Sequence, residues 1–333
     1  MSMRAVVHER YGAPEEVLKS RRIDKPQIGR DEVLVRVHAA GLHVGDCFGV
    51  RGSPWPLRAV TGLRRPRYGV PGLDVAGQVE AVGSKVTRFQ PGDQVLGACN
   101  WPAAGGCAEY AAADEDNLVP KPVELTYQEA AAIPTSALAA LHGLRDAGNL
   151  QPGQNILING ASGGVGTFAV QIGKILGAEV TGVCSTANVA MVRSLGADHV
   201  FDYTKADFTT ARSRYDLILD NVENRSLSDV RRALKPRGTL VLNSGTGAGG
   251  MKLMGRLVRP LILSPFVRQR LRRYLSSPNR ADLEVLKAFV EEGKLRPIID
   301  SSFALEETPA ALRHIEAGHA RGKVVIAVGA HPQ

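Results

Sequence analysis

Cysteine is scarce in this chain, with four among 333 residues. They stand at 47, 99, 107 and 184, and no pair has C-x-x-C spacing. That pattern excludes a disulfide framework and fits reduced thiols in a cytoplasmic protein. Long apolar runs are also missing. None reaches the roughly 18 residues that span a bilayer. The N-terminus passes from Met1 straight into a strand-like Met3–Val7, without the apolar stretch of a signal peptide. The expectation is a cytoplasmic protein with no integral membrane segment. Internal repeats and low-complexity tracts are absent. Aromatic residues make up only 5% of the chain, which bears on its formal charge of +8. The excess is gathered in two clusters: Arg51, Arg58, Arg64, Arg65 and Arg67, and then Lys252, Arg256, Arg259, Arg268, Arg270, Arg272 and Arg273. Neither carries the aromatic ladder of a nucleic-acid reader. A solvated basic face is the reading. Attraction for an anionic cofactor or an acidic membrane surface is the alternative.

What is present is apolar substance and glycine. Hydrophobic residues make up 44% of the chain and the mean hydropathy is -0.08. The length is enough for two domains with separate cores. The stretch Asn155–Gly166 organises the rest. Ile156, Leu157 and Ile158 form the short apolar run of a buried parallel strand. Gly160, Gly163, Gly164 and Gly166 follow, with Ser162 and Val165 among them. Val165, Phe168, Ala169, Ile172, Ile175 and Leu176 then keep the spacing of a helix face, and Gly177 stops it. A turn of this kind lets the backbone approach a pyrophosphate and aims helix N–H groups at its charge. A second strand, Glu179–Val183, ends at Cys184-Ser185-Thr186, about 20 residues on, where a dinucleotide fold reads the ribose. Gly160–Gly164 also matches G-x-S-x-G, the hydrolase nucleophile elbow. That reading makes Ser162 a nucleophile and looks to Asp198-His199, His314, His319 or His331 for its partners. It leaves the fourth glycine and the ribose strand unexplained.

Along the chain, residues 1–123 read mostly as strands and turns. Glu32–Ala40 is a strand with Gly41–Asp46 as a loop after it. Residues 51–71 form an irregular loop, and Gly72–Gly83 is a strand of small residues. Strands are expected at the turn Phe89–Val95 and at Ala108–Ala113. Near 124 the pattern changes. Thr126–Glu129 has a capping box, Pro134 interrupts, and Ser136–Leu144 resumes as a helix. Helices over 188–195 and 226–234 then alternate with strands over 198–202, 215–220 and 238–243. The alternation predicts a parallel sheet with helices on both faces. Helix 280–292, a helix near 308–317 and the strand Gly322–Val328 close the chain.

Six ordered motifs carry a family resemblance: Ala40–Asp46, Pro71–Gly77, Pro91–Val95, Asn159–Gly166, Leu195–Asp198 and Gly322–Val325. Over more than 300 residues the chain resembles the medium-chain dehydrogenase/reductase superfamily, in its zinc-independent quinone oxidoreductase-like branch. The resemblance implies an α/β fold: a doubly wound Rossmann domain plus a β-rich GroES-like catalytic domain, with the active site in the cleft. The expected division is 1–123 for the GroES-like part, 124–271 for the NADP(H)-binding Rossmann domain, and 272–333 for a return to the catalytic domain. Zinc members of the family place Cys where His43 stands and His where Leu73 stands. A four-cysteine lobe is lacking too, so no metal is expected. His43-Val44 replaces the Asn-Pro of many relatives, whose Asn lies near the nicotinamide. His43 is therefore a candidate catalytic residue. Asp46 fits the family pattern, as a second candidate or as a local cap.

An acid at the end of the second Rossmann strand selects NAD. Here that strand ends Cys184-Ser185-Thr186-Ala187-Asn188. Ser185 and Thr186 can donate to a 2′-phosphate, so NADP(H) is the expected cofactor. The Lys or Arg of NADPH-preferring relatives is replaced by Ala187. Tyr203 matches a position near the adenosine. Asn221 and Ser244-Gly245-Thr246 match segments that border the cofactor. The expected activity is NADPH-dependent reduction of quinones or α,β-unsaturated carbonyls, which accept hydride without a Lewis acid. The expected partner is that small-molecule substrate, with a homodimer as the candidate assembly. A zinc-free NADP-dependent alcohol or carbonyl dehydrogenase and a non-catalytic NADPH-binding protein are the alternatives.

Overall fold

The computed structural model describes residues 1–67, 69–210, 212–243 and 267–329. The chain forms two compact units. One is Met1–Leu138 together with the tail from Ser277, and the other is Ala139–Ser276.

In the first unit, Ser2–Val7 (β1) and Lys19–Asp24 (β2) form an antiparallel pair. Glu32–Leu42 (β3), Asp74–Val82 (β4), Gln94–Ala98 (β5), Tyr110–Asp114 (β6) and Leu118–Pro120 (β7) make a larger sheet. The strand β3 is its centre. Val33, Val35 and Val37 are buried while Arg36 is exposed, and β-branched side chains suit such a pleated surface. Register shifts at Leu34/Val35 and Val37/Ala39 bend it. One edge of β3 takes β4 along its length. The other is shared between β6, at Glu32–Arg36, and a tail strand, at Ala39–Leu42. That tail strand is Lys323–Ala327, which pairs in turn with Ile299–Ala304. The pairing Val324↔Leu42 brings Lys323 to the end of β3.

In the second unit, Asn155–Asn159 (β8), Glu179–Cys184 (β9), His199–Asp202 (β10), Tyr215–Asp220 (β11), Leu234–Leu242 (β12) and Arg270–Arg273 (β13) form one sheet. The tail strands Ile299–Ala304 and Lys323–Ala327 are β14 and β15. The order in the second sheet is β10-β9-β8-β11-β12-β13, and each pair is parallel. Numbered from β8, that is 3-2-1-4-5-6, the doubly wound dinucleotide-binding order. Ile156, Leu157 and Ile158 are fully buried, as a central strand covered on both faces requires. Of the helix face read after the turn, Phe168, Ala169 and Ile172 are fully buried, and the helix spans Gly164–Ile175.

Several local readings change. Gly41–Asp46 is not a loop: β3 runs to Leu42, and Val44–Arg51 is a helix with His43 as its N-cap. Histidine is an unusual cap, so the helix start was hidden. The irregular segment after Arg51 holds two short helical pieces, Trp55–Leu57 and Arg58–Thr61. The break read near Pro134 is present, between the helices Tyr127–Ala131 and Pro134–Leu141, but Pro134 is the first residue of the second helix, where the first turn needs no N–H partner. The chain then continues in a wider, π-helical form over His142–Ala147. Strand β12 begins at Leu234, four residues before the glycine at 238 from which its start was read.

Candidate functional site

The switch point of the sheet lies between β8 and β11, where the chain leaves to opposite sides. At the carboxyl end of β8, Gly160 has φ +79, and a Cβ there would meet Val222 at 2.7 Å. A Cβ on Gly166 would overlap the Gly160 carbonyl oxygen, so helix and turn can pack this closely only with glycine. Gly163 differs. It is the N-cap of the helix Gly164–Ile175, with φ -85 and ψ 179, which any residue can adopt. Among the described residues a Cβ there would meet only the Gly160 oxygen, at 3.5 Å. The turn itself does not demand glycine at 163, and no side chain caps the helix. The first turn of a helix has N–H groups without intrahelical partners, and here that turn includes Gly164, Val165 and Gly166. The arrangement fits a pyrophosphate.

Ser162 and Ser185 are joined by one side chain. Asn188 Nδ2 donates to Ser162 Oγ at 3.1 Å and to Ser185 Oγ at 3.2 Å. Asn188 Oδ1 is buried with no partner among the described residues. Thr186 is engaged differently. Its hydroxyl donates to Asp202 Oδ2 at 2.5 Å, and Thr204 donates its N–H and hydroxyl to Asp202 Oδ1 at 3.0 and 2.7 Å. The Thr186 and Thr204 hydroxyls hold the Asp202 carboxyl down to about 2. Tyr203 is half exposed and donates its N–H to the Cys184 carbonyl at 3.1 Å. Beside the switch point, Asn159 Nδ2 donates to Asp220 Oδ1 at 2.8 Å. Asn221 donates its N–H and its amide to the Asn159 carbonyl, both at 3.2 Å, and accepts from Asn243 Nδ2 at 2.9 Å. Burial pushes the Asp220 carboxyl above its usual range, against the hydrogen bonds from Glu223, Asn159 and Val222. The readings at Ser244, Gly245 and Thr246 lie outside the described residues.

Among the described residues the nucleophile-elbow reading finds no partners for Ser162 in the same unit, and His331 lies outside them. Asp198 and His199 stand at the amino end of β10, where Asp198 bonds Lys174 and the Val180 N–H, and His199 pairs with Glu179 at 2.9 Å. Ser162 follows the carboxyl end of β8, at the opposite edge of this parallel sheet. His314, in the other unit, is bonded to Asp300 at 2.6 Å.

In the first unit, the helix Val44–Arg51 opens on a closed polar box. Gly45 donates its N–H to His43 Nδ1 at 3.0 Å, and His43 donates its own N–H to Asp46 Oδ2 at 2.9 Å. Asp46 Oδ1 also accepts the Gly72 N–H at 3.1 Å. Both Asp46 oxygens are thus used to hold backbone. With Nδ1 an acceptor, the neutral His43 ring carries its hydrogen on Nε2. That atom is buried without a hydrogen-bond partner among the described residues, 3.6 Å from Asp46 Oδ2. Behind it lies a second cluster that sequence reading missed. Lys323 Nζ donates to the Leu42 carbonyl at 2.9 Å and to Ser136 Oγ at 3.1 Å, and stands 3.6 Å from Asp74 Oδ2. Asp74 Oδ1 accepts from Thr135 N and Oγ1 at 3.0 and 2.5 Å. Burial pushes the Asp74 carboxyl up, opposed chiefly by the Lys323 ammonium.

The donors here do not fit a zinc ion. Leu73 has no ligand atom, and Cys47, Cys99 and Cys107 lie in an apolar cluster with it. Burial pushes the Cys99 thiol up to about 12 and those of Cys47 and Cys107 higher still, against the thiolate a metal needs. Among the described residues no three His, Cys, Asp or Glu side chains are grouped to hold a metal. No helix among them is long and apolar enough to cross a membrane.

A 3-2-1-4-5-6 sheet with an uncapped glycine turn, in one chain with a separate mixed β sheet, defines a nicotinamide-dinucleotide oxidoreductase of the dehydrogenase type. Two family models match: the alcohol dehydrogenase GroES-like domain over residues 29–123, and a zinc-binding dehydrogenase domain over 195–326. The quinone-oxidoreductase homolog of the Spinacia oleracea chloroplast is 33% identical over 97% of this chain and 98% of its own. The 2-methylene-furan-3-one reductase of Solanum lycopersicum is 31% identical over 97% of this chain and 79% of its own. Among solved structures, the quinone oxidoreductase from Coxiella burnetii superposes with TM-score 0.84 at 29% identity, covering 99% of this chain and 100% of its own. The chain belongs to the medium-chain dehydrogenase/reductase superfamily, in the quinone oxidoreductase-like branch.

Proposed function

We propose that the chain is an NADPH-dependent reductase of quinones or α,β-unsaturated carbonyls that works without zinc. The observation that carries this reading is the His43 ring, whose Nδ1 accepts the Gly45 N–H, so that the neutral ring has its hydrogen on Nε2, with no hydrogen-bond partner there among the described residues. A neutral N–H donor of this kind suits an oxygen on which negative charge grows. The bound dihydronicotinamide supplies hydride. The rest falls to the chain's own residues. The helix start at Gly163–Gly166 holds the pyrophosphate, Ser185 donates to the 2′-phosphate, and Asn221 borders the ring end of the sheet. His43 donates its Nε2 hydrogen bond to the substrate oxygen, and Asp46 positions His43 by holding its backbone N–H. Zinc independence is supported by the donor chemistry at Leu73 and the buried thiols. The substrate class is supported by the two relatives, one named for quinones and one for a methylene group conjugated to a ketone.

The test is NADPH oxidation with a quinone, an enone and the matching saturated ketone, with and without EDTA. Turnover of the first two, unaffected by EDTA, is expected. Turnover of the saturated ketone alone, or loss of activity to chelation with rescue by zinc, would replace this reading with alcohol or carbonyl dehydrogenation.

A further inference from the structure

The ribose-reading turn has a negative charge beside it that its own strand does not supply. Strand β9 ends without an acid, but β10 lies parallel to it, with Asp202 paired to Cys184. Asp202 accepts the Thr186 hydroxyl at 2.5 Å. Its other oxygen takes both donors of Thr204. Lys205 Nζ lies 3.5 Å from Asp202 Oδ2 on a side chain 70% exposed, so water screens much of its charge. Ser185 is bonded the other way round. Its oxygen accepts from Asn188, which leaves its own hydrogen to give.

We propose that Asp202 is a specificity-determining residue that restrains the preference for a 2′-phosphorylated cofactor. It takes the Thr186 hydroxyl hydrogen, leaves Ser185 as the hydroxyl donor of the turn, and sets a carboxylate beside the end of the second strand, where a 2′-phosphate is read. With Ala187 in place of a cation, nothing in the turn offsets that charge. The hydroxyl bonds hold the carboxyl at about 2, so the charge is present at any working pH. The inference rests on the reading of this turn as the 2′-phosphate site, and it assigns opposite effects to Thr186 and Ser185, which look alike in sequence.

Adenosine 2′,5′-bisphosphate and 5′-AMP differ only in the 2′-phosphate, and calorimetric titration of the full chain with each isolates the effect. Asp202→Asn is expected to tighten the bisphosphate at least threefold at low salt and leave 5′-AMP within twofold, with the gain shrinking as salt rises. An unchanged or weakened bisphosphate affinity, or equal tightening of both probes, overturns the proposal. If Asp202→Asn does not fold by circular dichroism, Thr186→Val decides. A ratio of affinities within twofold of the parent supports the proposal, and a tenfold loss confined to the bisphosphate shows that Thr186 donates to the phosphate and overturns it. The parent protein separates the two readings. If it binds the bisphosphate no tighter than 5′-AMP, the NADPH preference fails, while the Asp202→Asn ratio still rules on Asp202.

Discussion

The two units prepare their polar groups in opposite ways. At the glycine turn of the second unit, the described residues supply few partners: the helix Gly164–Ile175 has no side-chain cap, and a Gly163 side chain would come within 4 Å of the Gly160 oxygen alone among them. At the helix Val44–Arg51 of the first unit, the fold supplies nearly every partner. His43 Nδ1, both Asp46 oxygens, Asp74 Oδ1 and Lys323 Nζ are all engaged. Among the described residues His43 Nε2 and Asp74 Oδ2 have no hydrogen-bond partner, and Asp74 Oδ2 lies 3.6 Å from the Lys323 ammonium. A binding site for a large anion is made from unspent backbone donors, which bind it wherever it enters. A site that must place one donor is made from a closed lattice with one position missing. The first tolerates loss of a side chain and fails on gain of one, and the second behaves the other way.

The largest effect expected from this contrast is at Gly163. Gly163→Val places a side chain at the proposed pyrophosphate site, yet the backbone there is ordinary and the nearest atom among the described residues is 3.5 Å away. We expect at least a hundredfold loss of NADPH affinity in a fluorescence titration, with an unchanged circular dichroism spectrum. Normal binding would break the comparison at its root. The matching loss in the other unit is Lys323→Met. It leaves Asp74, fully buried, without its cation, and breaking a buried pair costs about 3–5 kcal/mol. Urea unfolding would read this directly. A change below about 1 kcal/mol would show that Asp74 is held neutral by burial and that the lattice does not depend on the ammonium.

Two smaller effects sharpen the division between a site that binds and a site that places. Ser185→Asp adds a charge to the turn and removes its hydroxyl donor, about 1–3 kcal/mol against NADPH. NADH should be affected far less, and equal weakening of both cofactors would remove Ser185 from phosphate recognition. His43→Ala should lower kcat/KM by about tenfold, or 1.4 kcal/mol. It also removes a helix cap worth about 1 kcal/mol. His43→Asn restores both a cap and a donor, and should recover part of each. A drop in melting temperature with unchanged kcat/KM would reduce His43 to a cap.

The same contrast explains which parts were legible. The turn and the alternation after it are local: Ile156–Ile158, the glycines and the helix face are neighbours in sequence, and periodicity exposes them. The lattice of the first unit is not. Lys323 bonds Leu42 across 281 positions and Ser136 across 187, and no spacing rule connects them. His43 was visible as a chemical candidate but not as a cap, because imidazole seldom caps a helix. The turn after β9 is intermediate. Ser185 and Thr186 are legible in sequence as candidates, but the sequence rule for an acid points to the end of β9, whereas β10 delivers Asp202 from 16 positions past Thr186. In a parallel sheet the ends of neighbouring strands are adjacent, so the acid that matters need not lie on the strand that is read.

That geometry also sets the smallest effect. The Asp202 carboxyl sits at about 2 in the folded chain, held there by Thr186 and Thr204, against about 3.9 in an unfolded one. A depressed carboxyl contributes stability that is fully present above its unfolded value and is lost as pH falls through the folded one. Asp202 should therefore favour folding from neutrality down to about pH 4, and lose that contribution between about pH 4 and 2. Asp202→Asn removes the titration. The difference between its urea midpoint and that of the parent should be largest near pH 6 and shrink towards pH 2. Salt should reduce only the Lys205 part of the difference, since that side chain is exposed and hydroxyl hydrogen bonds are not screened. A difference that stays constant from pH 6 to pH 2 would mean that the Thr186 and Thr204 bonds do not distinguish the ionised carboxyl from the neutral one. The charge assigned to this turn would then have to be withdrawn as well.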